Sequence, residues 1–166
     1  MSTDADPPNE IATDSRGAER AGATAAPGRF ERVLVVATDD PAGEAAAATA
    51  LDLAAAHGAT VDALYVVDTT EGWDMVVERR ERAGEALVES IEATGAAAGV
   101  DVEKWFRYGS THREAVDFAD AHDADLVVVG SAGRTGLDRL LHPDPVPARV
   151  RRGADAPVMV VGPEDD

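Results

Sequence analysis

Short apolar runs alternate with longer amphipathic or alanine-rich stretches along most of this chain. The first run, Arg32-Val-Leu-Val-Val-Ala37, has the continuous apolar character of a parallel strand buried on both faces. Thr38-Asp39-Asp40-Pro41 breaks it, and an alanine-rich helix is predicted to about Ala56, stopped at His57-Gly58. Thr60 to Val67 reads as a second strand. A long helix follows from about Asp74 to Ala98, with Val76, Ala83, Leu87, Ile91 and Ala98 on one stripe. Val100 to Tyr108 alternates only partly, as an edge strand does. Gly109-Ser-Thr-His-Arg-Glu114 opens a third helix that ends near His122, with Thr111 and Glu114 at capping-box spacing. Leu126-Val-Val-Val129, a glycine-rich loop, a short helix from about Val146 to Arg152 and the strand Ala156-Pro-Val-Met-Val-Val161 complete the series. Strands alternating with helices predict a single doubly wound α/β domain with a mostly parallel sheet. Ligands of such sheets sit beyond the carboxyl ends of the strands, where the strand order reverses. That edge collects Thr38-Asp39-Asp40, Val67-Asp68, Tyr108-Gly109 and the residues from Gly130 onward.

Composition narrows the chemistry. The 166 residues suit one domain with a tail. Residues 1–28 lack apolar periodicity and are expected to form a disordered acidic arm, leaving 29–163 as the domain. The absence of cysteine excludes disulfides and thiolate chemistry. The histidines His57, His112, His122 and His142 are scattered without metal-ligand spacing, so no metal is expected, and His112 and His122 read as helix-surface residues. No apolar run approaches the ~20 residues a bilayer requires, and the polar, acidic start does not read as a signal peptide, so a cytoplasmic protein without membrane contact is expected.

The net charge of −17 comes from 32 acidic and 15 basic residues. It repels phosphate backbones and argues against nucleic-acid binding. Only Lys104 is a lysine, and such an acidic, alanine-rich surface suits a salt-saturated, halophilic cytoplasm, where screening relieves self-repulsion.

The segment Ala124-Asp-Leu-Val-Val-Val-Gly-Ser-Ala-Gly-Arg-Thr-Gly-Leu-Asp-Arg-Leu-Leu141, followed by Ala156-Pro-Val-Met-Val-Val161, resembles the C-terminal half of the universal stress protein (UspA-like) family. The Val33–Asp39, Tyr65–Asp68 and Tyr108-Gly109 segments agree in order and spacing, so the resemblance spans roughly residues 31–162. It implies a Rossmann-like, five-stranded sheet in order 3-2-1-4-5 and a homodimer formed through residues 156–162. It also implies a site for ATP or AMP. Thr38 or Asp39 would meet the nucleoside, depending on the register chosen, and the Val66 backbone would meet adenine. Gly130, Gly133 and Arg134 would face the phosphates. Nucleotide-binding members carry G-x-x-G, nine residues, then Gly-Ser or Gly-Thr. Gly130-Ser-Ala-Gly133 supplies the first half, but Pro143-Asp144-Pro145 stands where the second belongs. Proline offers no amide and the aspartate repels phosphate, so any nucleotide is expected to bind weakly.

Plainer readings stand beside these. Gly130 and Gly133 suit a tight strand-to-helix turn, and Arg134 and Arg139 can pair with Asp138 or Asp144 at the surface. Trp73 and Trp105 read as packing or interface residues. Asp39-Asp40 resembles the magnesium-holding pair of receiver domains, but Arg107-Tyr108-Gly109 holds no phosphoacceptor at the end of strand three. No nucleophile–base pair can be argued from spacing, so an enzyme is not expected. Two functions remain: a dimeric stress-response interaction module with a degenerate nucleotide site, and an ATP- or AMP-binding regulator with slow hydrolysis.

Overall fold

The computed structural model describes residues 29–69, 74–131 and 146–163. The arm, Trp73 and the stretch holding Gly133, Arg134, Arg139 and Pro143-Asp144-Pro145 lie outside the described residues.

Among the described residues, strands β1 (Arg32–Val36), β2 (Thr60–Asp68), β3 (Val102–Gly109), β4 (Leu126–Gly130) and β5 (Val158–Val161) alternate with helices α1 (Pro41–His57), α2 (Asp74–Ala97), α3 (Thr111–Ala121) and α4 (Val146–Gly153). The sheet is parallel throughout, in order β3-β2-β1-β4-β5, as the resemblance implied. Alternate residues of β1 feed two cores. Val33 and Val35 pack under the helices α1 and α2 with Ala46, Ala50, Val88 and Ile91. Leu34 and Val36 pack with Leu64, Phe118, Val127 and Val150 on the α3–α4 side. Small alanines let α1 lie close to the sheet, and Ala46 and Ala50 are fully buried. Gly58 ends the helix at φ 67° and donates its amide to the Ala54 carbonyl.

Three local readings need correction. The buried stripe of α2 is Gly84, Val88, Ile91 and Gly95, while Ala98 is exposed. The glycines sit there because a Cβ at Gly84 would fall 2.3 Å from the Tyr65 ring, and one at Gly95 would fall 2.5 Å from Val102. The capping box does not form. Thr111 is already helical and Ser110 holds the N-cap position, with its Oγ 3.0 Å from His112 Nδ1. Neither His112 nor His122 is a surface residue; both are half-buried, and His122 stacks on Phe118 at 4.0 Å and lies beside Trp105 at 4.8 Å.

The sequence reading also passed over Asp62, a carboxylate with no solvent exposure. Arg32 Nε and Nη2 donate to it at 2.7 and 3.1 Å, and Trp105 Nε1 donates at 3.0 Å. Arg32 also pairs with Glu103 at 2.7 Å. The bond to Asp62 raises the Arg32 pKa above its already high value. Trp105 is therefore a packing residue, as expected, with its ring nitrogen satisfied in the interior.

Candidate functional site

The candidate site lies at the carboxyl edge of the sheet, above the end of β1. The ladder between β1 and β2 ends at the Val36–Leu64 pair. Its last bond runs from the Ala37 amide to the Leu64 carbonyl at 2.8 Å. Backbone direction alternates with period two along a strand, so Val66 points its N–H and C=O the same way as Leu64. At that height β1 has ended, while β2 continues to Asp68 paired with β3 alone. The Val66 backbone therefore presents a donor and an acceptor to the crevice, while its side chain is buried on the α3 side. On the other side β4 runs to Gly130, past the end of its pairing with β1 at Val35–Val128. The order reverses here, which is where doubly wound sheets take ligands.

Thr38 and Asp39 both reach this edge, in different settings. Thr38 is half-buried against the first turn of α1. A Cβ on Gly43 would overlap its Oγ1 and its carbonyl oxygen at 2.1 and 2.2 Å. Asp39 is exposed at the rim. Asp40 caps α1, its Oδ1 accepting from the Gly43 amide at 2.7 Å, and Pro41 fills the first turn. An amide that could have met an anion is thus already taken by a carboxylate.

Gly130 has a packing reason of its own. A Cβ there would come within 2.6 Å of the Ala42 carbonyl and 2.8 Å of the Gly43 nitrogen. Its missing side chain lets the start of α1 close against the end of β4. The next amide, Ser131, is bonded to the Val161 carbonyl at 2.8 Å. Gly133, Arg134, Pro143, Asp144 and Pro145 lie outside the described residues.

Two residues at this edge, Arg80 and Gly43, escaped the sequence reading. Arg80 of α2 donates from Nη1 to the Asp68 carbonyl at 2.6 Å, capping the end of β2. Tyr65 packs on Gly84; burial raises its pKa most, the charge of Arg80 opposes this and that of Asp39 adds to it. Arg80 sits within a run of charged residues, with no spacing to single it out. Gly43 had a signal, a glycine in the first turn of an otherwise alanine-rich helix. Among the described residues no cluster of three or more metal-binding side chains occurs.

The universal stress protein family model matches residues 29–162. The chain belongs to that family. A universal stress protein of Methanocaldococcus jannaschii is 30% identical over 140 residues, covering 80% of this chain and 82% of the relative. A universal stress protein solved in complex with cAMP superposes with a TM-score of 0.66 at 26% identity, over 82% of this chain and all of that one. UspA from Lactobacillus plantarum shares the fold at a TM-score of 0.72 and 22% identity, over 81% of this chain and 99% of that one. The family assignment rests on the whole domain rather than on any one loop. No helix among the described residues is long and apolar enough to cross a membrane.

Proposed function

We propose that this member of the family acts in the cytoplasm as a dimeric interaction and regulatory module of the stress response, without catalysis, and with a nucleotide site that keeps its nucleoside end and has lost its phosphate end. The observation that carries this reading is Pro143-Asp144-Pro145 in place of the family's Gly-Ser. It removes two backbone donors and adds a negative charge. The geometry supports the same division. The backbone pair at Val66 and the Asp39 carboxylate suit the base and hydroxyls of a nucleoside. Asp40, by contrast, already holds the Gly43 amide.

A hydrogen bond to a charged group is worth about 1.5–3 kcal/mol. Losing two therefore costs roughly 3–6 kcal/mol, or about two to four orders of magnitude in affinity. A second reading, an ATP- or AMP-binding regulator with slow hydrolysis, draws support from Gly130-Ser-Ala-Gly133 and from the cAMP complex of the related protein. Native mass spectrometry of the purified protein, followed by calorimetry with ATP and AMP, separates the two. The degenerate site predicts no co-purified ATP and ATP affinity weaker than micromolar. Replacing Pro143-Asp144-Pro145 with Gly-Ser is expected to strengthen it. Micromolar or tighter ATP binding by the unaltered protein would establish the second reading instead.

A further inference from the structure

The helices α1 and α2 stand side by side on one face of the sheet, α1 over β1 and β4 and α2 over β2 and β3. Where they face each other the side chains are small, Ala47 and Ala48 against Ser90 and Thr94. None is long enough to close the gap. A groove of about 530 Å³ remains, within the range of roughly 300–1,000 Å³ that small-molecule sites occupy.

Its two ends differ in character. Leu51, Leu87 and Ile91 form an apolar base. Asp39, Asp40 and Glu44 form the rim at the strand end, and among the described residues no lysine, arginine or histidine lines the groove. The nearby Arg80 is turned to the Asp68 carbonyl. From Asp40 to Leu51 the groove follows α1 for 11 residues, a length of about 16 Å at ~1.5 Å per residue.

We propose that this groove binds an elongated organic cation, with an ammonium or guanidinium head among the rim carboxylates and an apolar body along Leu51, Leu87 and Ile91. The rim selects by sign, since it attracts a cation and repels the carboxylate or phosphate of an otherwise similar molecule. The base supplies affinity by removing apolar surface from water. The groove shares Thr38 and Asp39 with the nucleotide reading but runs away from Val66 between the two helices, so cation binding along Leu51, Leu87 and Ile91 and ATP binding are measured separately.

Octylammonium chloride, kept below its micelle concentration, is a suitable probe for the full-length protein, with octanoate and octanol as controls of equal chain length. Titrations followed by NMR or calorimetry at low salt are expected to rank octylammonium at least tenfold tighter than octanoate, with octanol between them. The double variant Asp39→Asn, Glu44→Gln should cost about tenfold for octylammonium and leave octanol unchanged. Ala48→Phe and Ser90→Phe fill the groove from exposed positions and should abolish binding of all three probes at unchanged melting temperature. Equal affinity for octylammonium and octanoate, binding that survives both filling variants, or no octylammonium binding at millimolar concentration would each overturn the proposal.

Discussion

Asp62 shows what a single buried charge asks of its neighbours. An isolated carboxylate in the interior costs several kcal/mol, so it persists only where donors converge on it, here Arg32 and Trp105. Removing one partner of a buried pair typically costs about 3–5 kcal/mol. Arg32 keeps 31% of its side-chain surface in water, so a lower cost of roughly 2–4 kcal/mol is expected for Asp62→Ala, read from urea unfolding. Trp105→Phe should cost less, since the ion pair survives it; equal losses would mean that packing, not charge, dominates there. Gly130 gives a sharper test because two explanations compete for it. If its role is to admit the start of α1, Gly130→Ala should destabilise the protein without ligand by about 1–3 kcal/mol, the usual cost of overpacking. A variant of normal stability that has lost nucleotide binding would return the glycine to the ligand. His112 carries a pH effect of definite sign. Burial, then Arg149 and Arg113, hold it below the ordinary value near 6.5. Between that lowered value and 6.5 the unfolded chain binds more protons, so stability falls as pH drops through this window. In thermal melts from pH 7 downward, His112→Gln should remove part of that fall.

At the scale of elements, legibility depended on whether the forces shaping each segment leave a mark in residue type. The inner strands β1 and β4 are buried on both faces, which writes a continuous apolar run at Val33–Val36 and at Leu126–Val129. The helix α1 could be bounded because Pro41 and Gly58 have backbone reasons to stand at its ends. The buried face of α2 was misread because Gly84 and Gly95 mark it by absence, their lost Cβ atoms making room for Tyr65 and Val102. The cap of α3 was misplaced by one residue because Ser110 and Thr111 are chemically alike, and only the extended backbone of Ser110 (φ −80°, ψ 124°) separates them. The same limit applies at the site. Asp39 and Asp40 are adjacent and identical, yet one caps a helix and the other stands at the rim. Val66 faces the crevice through its backbone, which residue identity does not record. The cap gives the prediction at this scale. Asp40→Ala should cost about 1 kcal/mol, while Asp40→Asn should keep nearly all of the stability, because an amide oxygen can still accept from Gly43. Urea midpoints of the two variants, compared with the parent, measure the difference.

For the whole molecule the decisive features are a sheet edge that no described strand covers and a large negative charge. Among the described residues β5 pairs with β4 alone, and Met159 and Val160 are 36% and 38% exposed. An unpaired apolar edge is a template for another strand unless something covers it. A second copy, related by a two-fold axis, satisfies both edges with the same residues. We therefore expect a homodimer through residues 156–162. Each copy brings a net charge of −17 to the encounter, and at low ionic strength that repulsion opposes association over a Debye length of roughly 10 Å or more. Salt shortens this range and leaves the apolar contact intact, so the dimer should tighten as salt rises, the reverse of an interface held by ion pairs. Light scattering on a sizing column at micromolar protein is expected to show a rising dimer fraction from 0.1 M to molar potassium chloride. Val160→Asp places a carboxylate on the edge and should leave a folded monomer at every salt concentration. A monomeric mass for the unaltered protein in molar salt would rule out this interface, as would a Val160→Asp variant that dimerises as well as the parent.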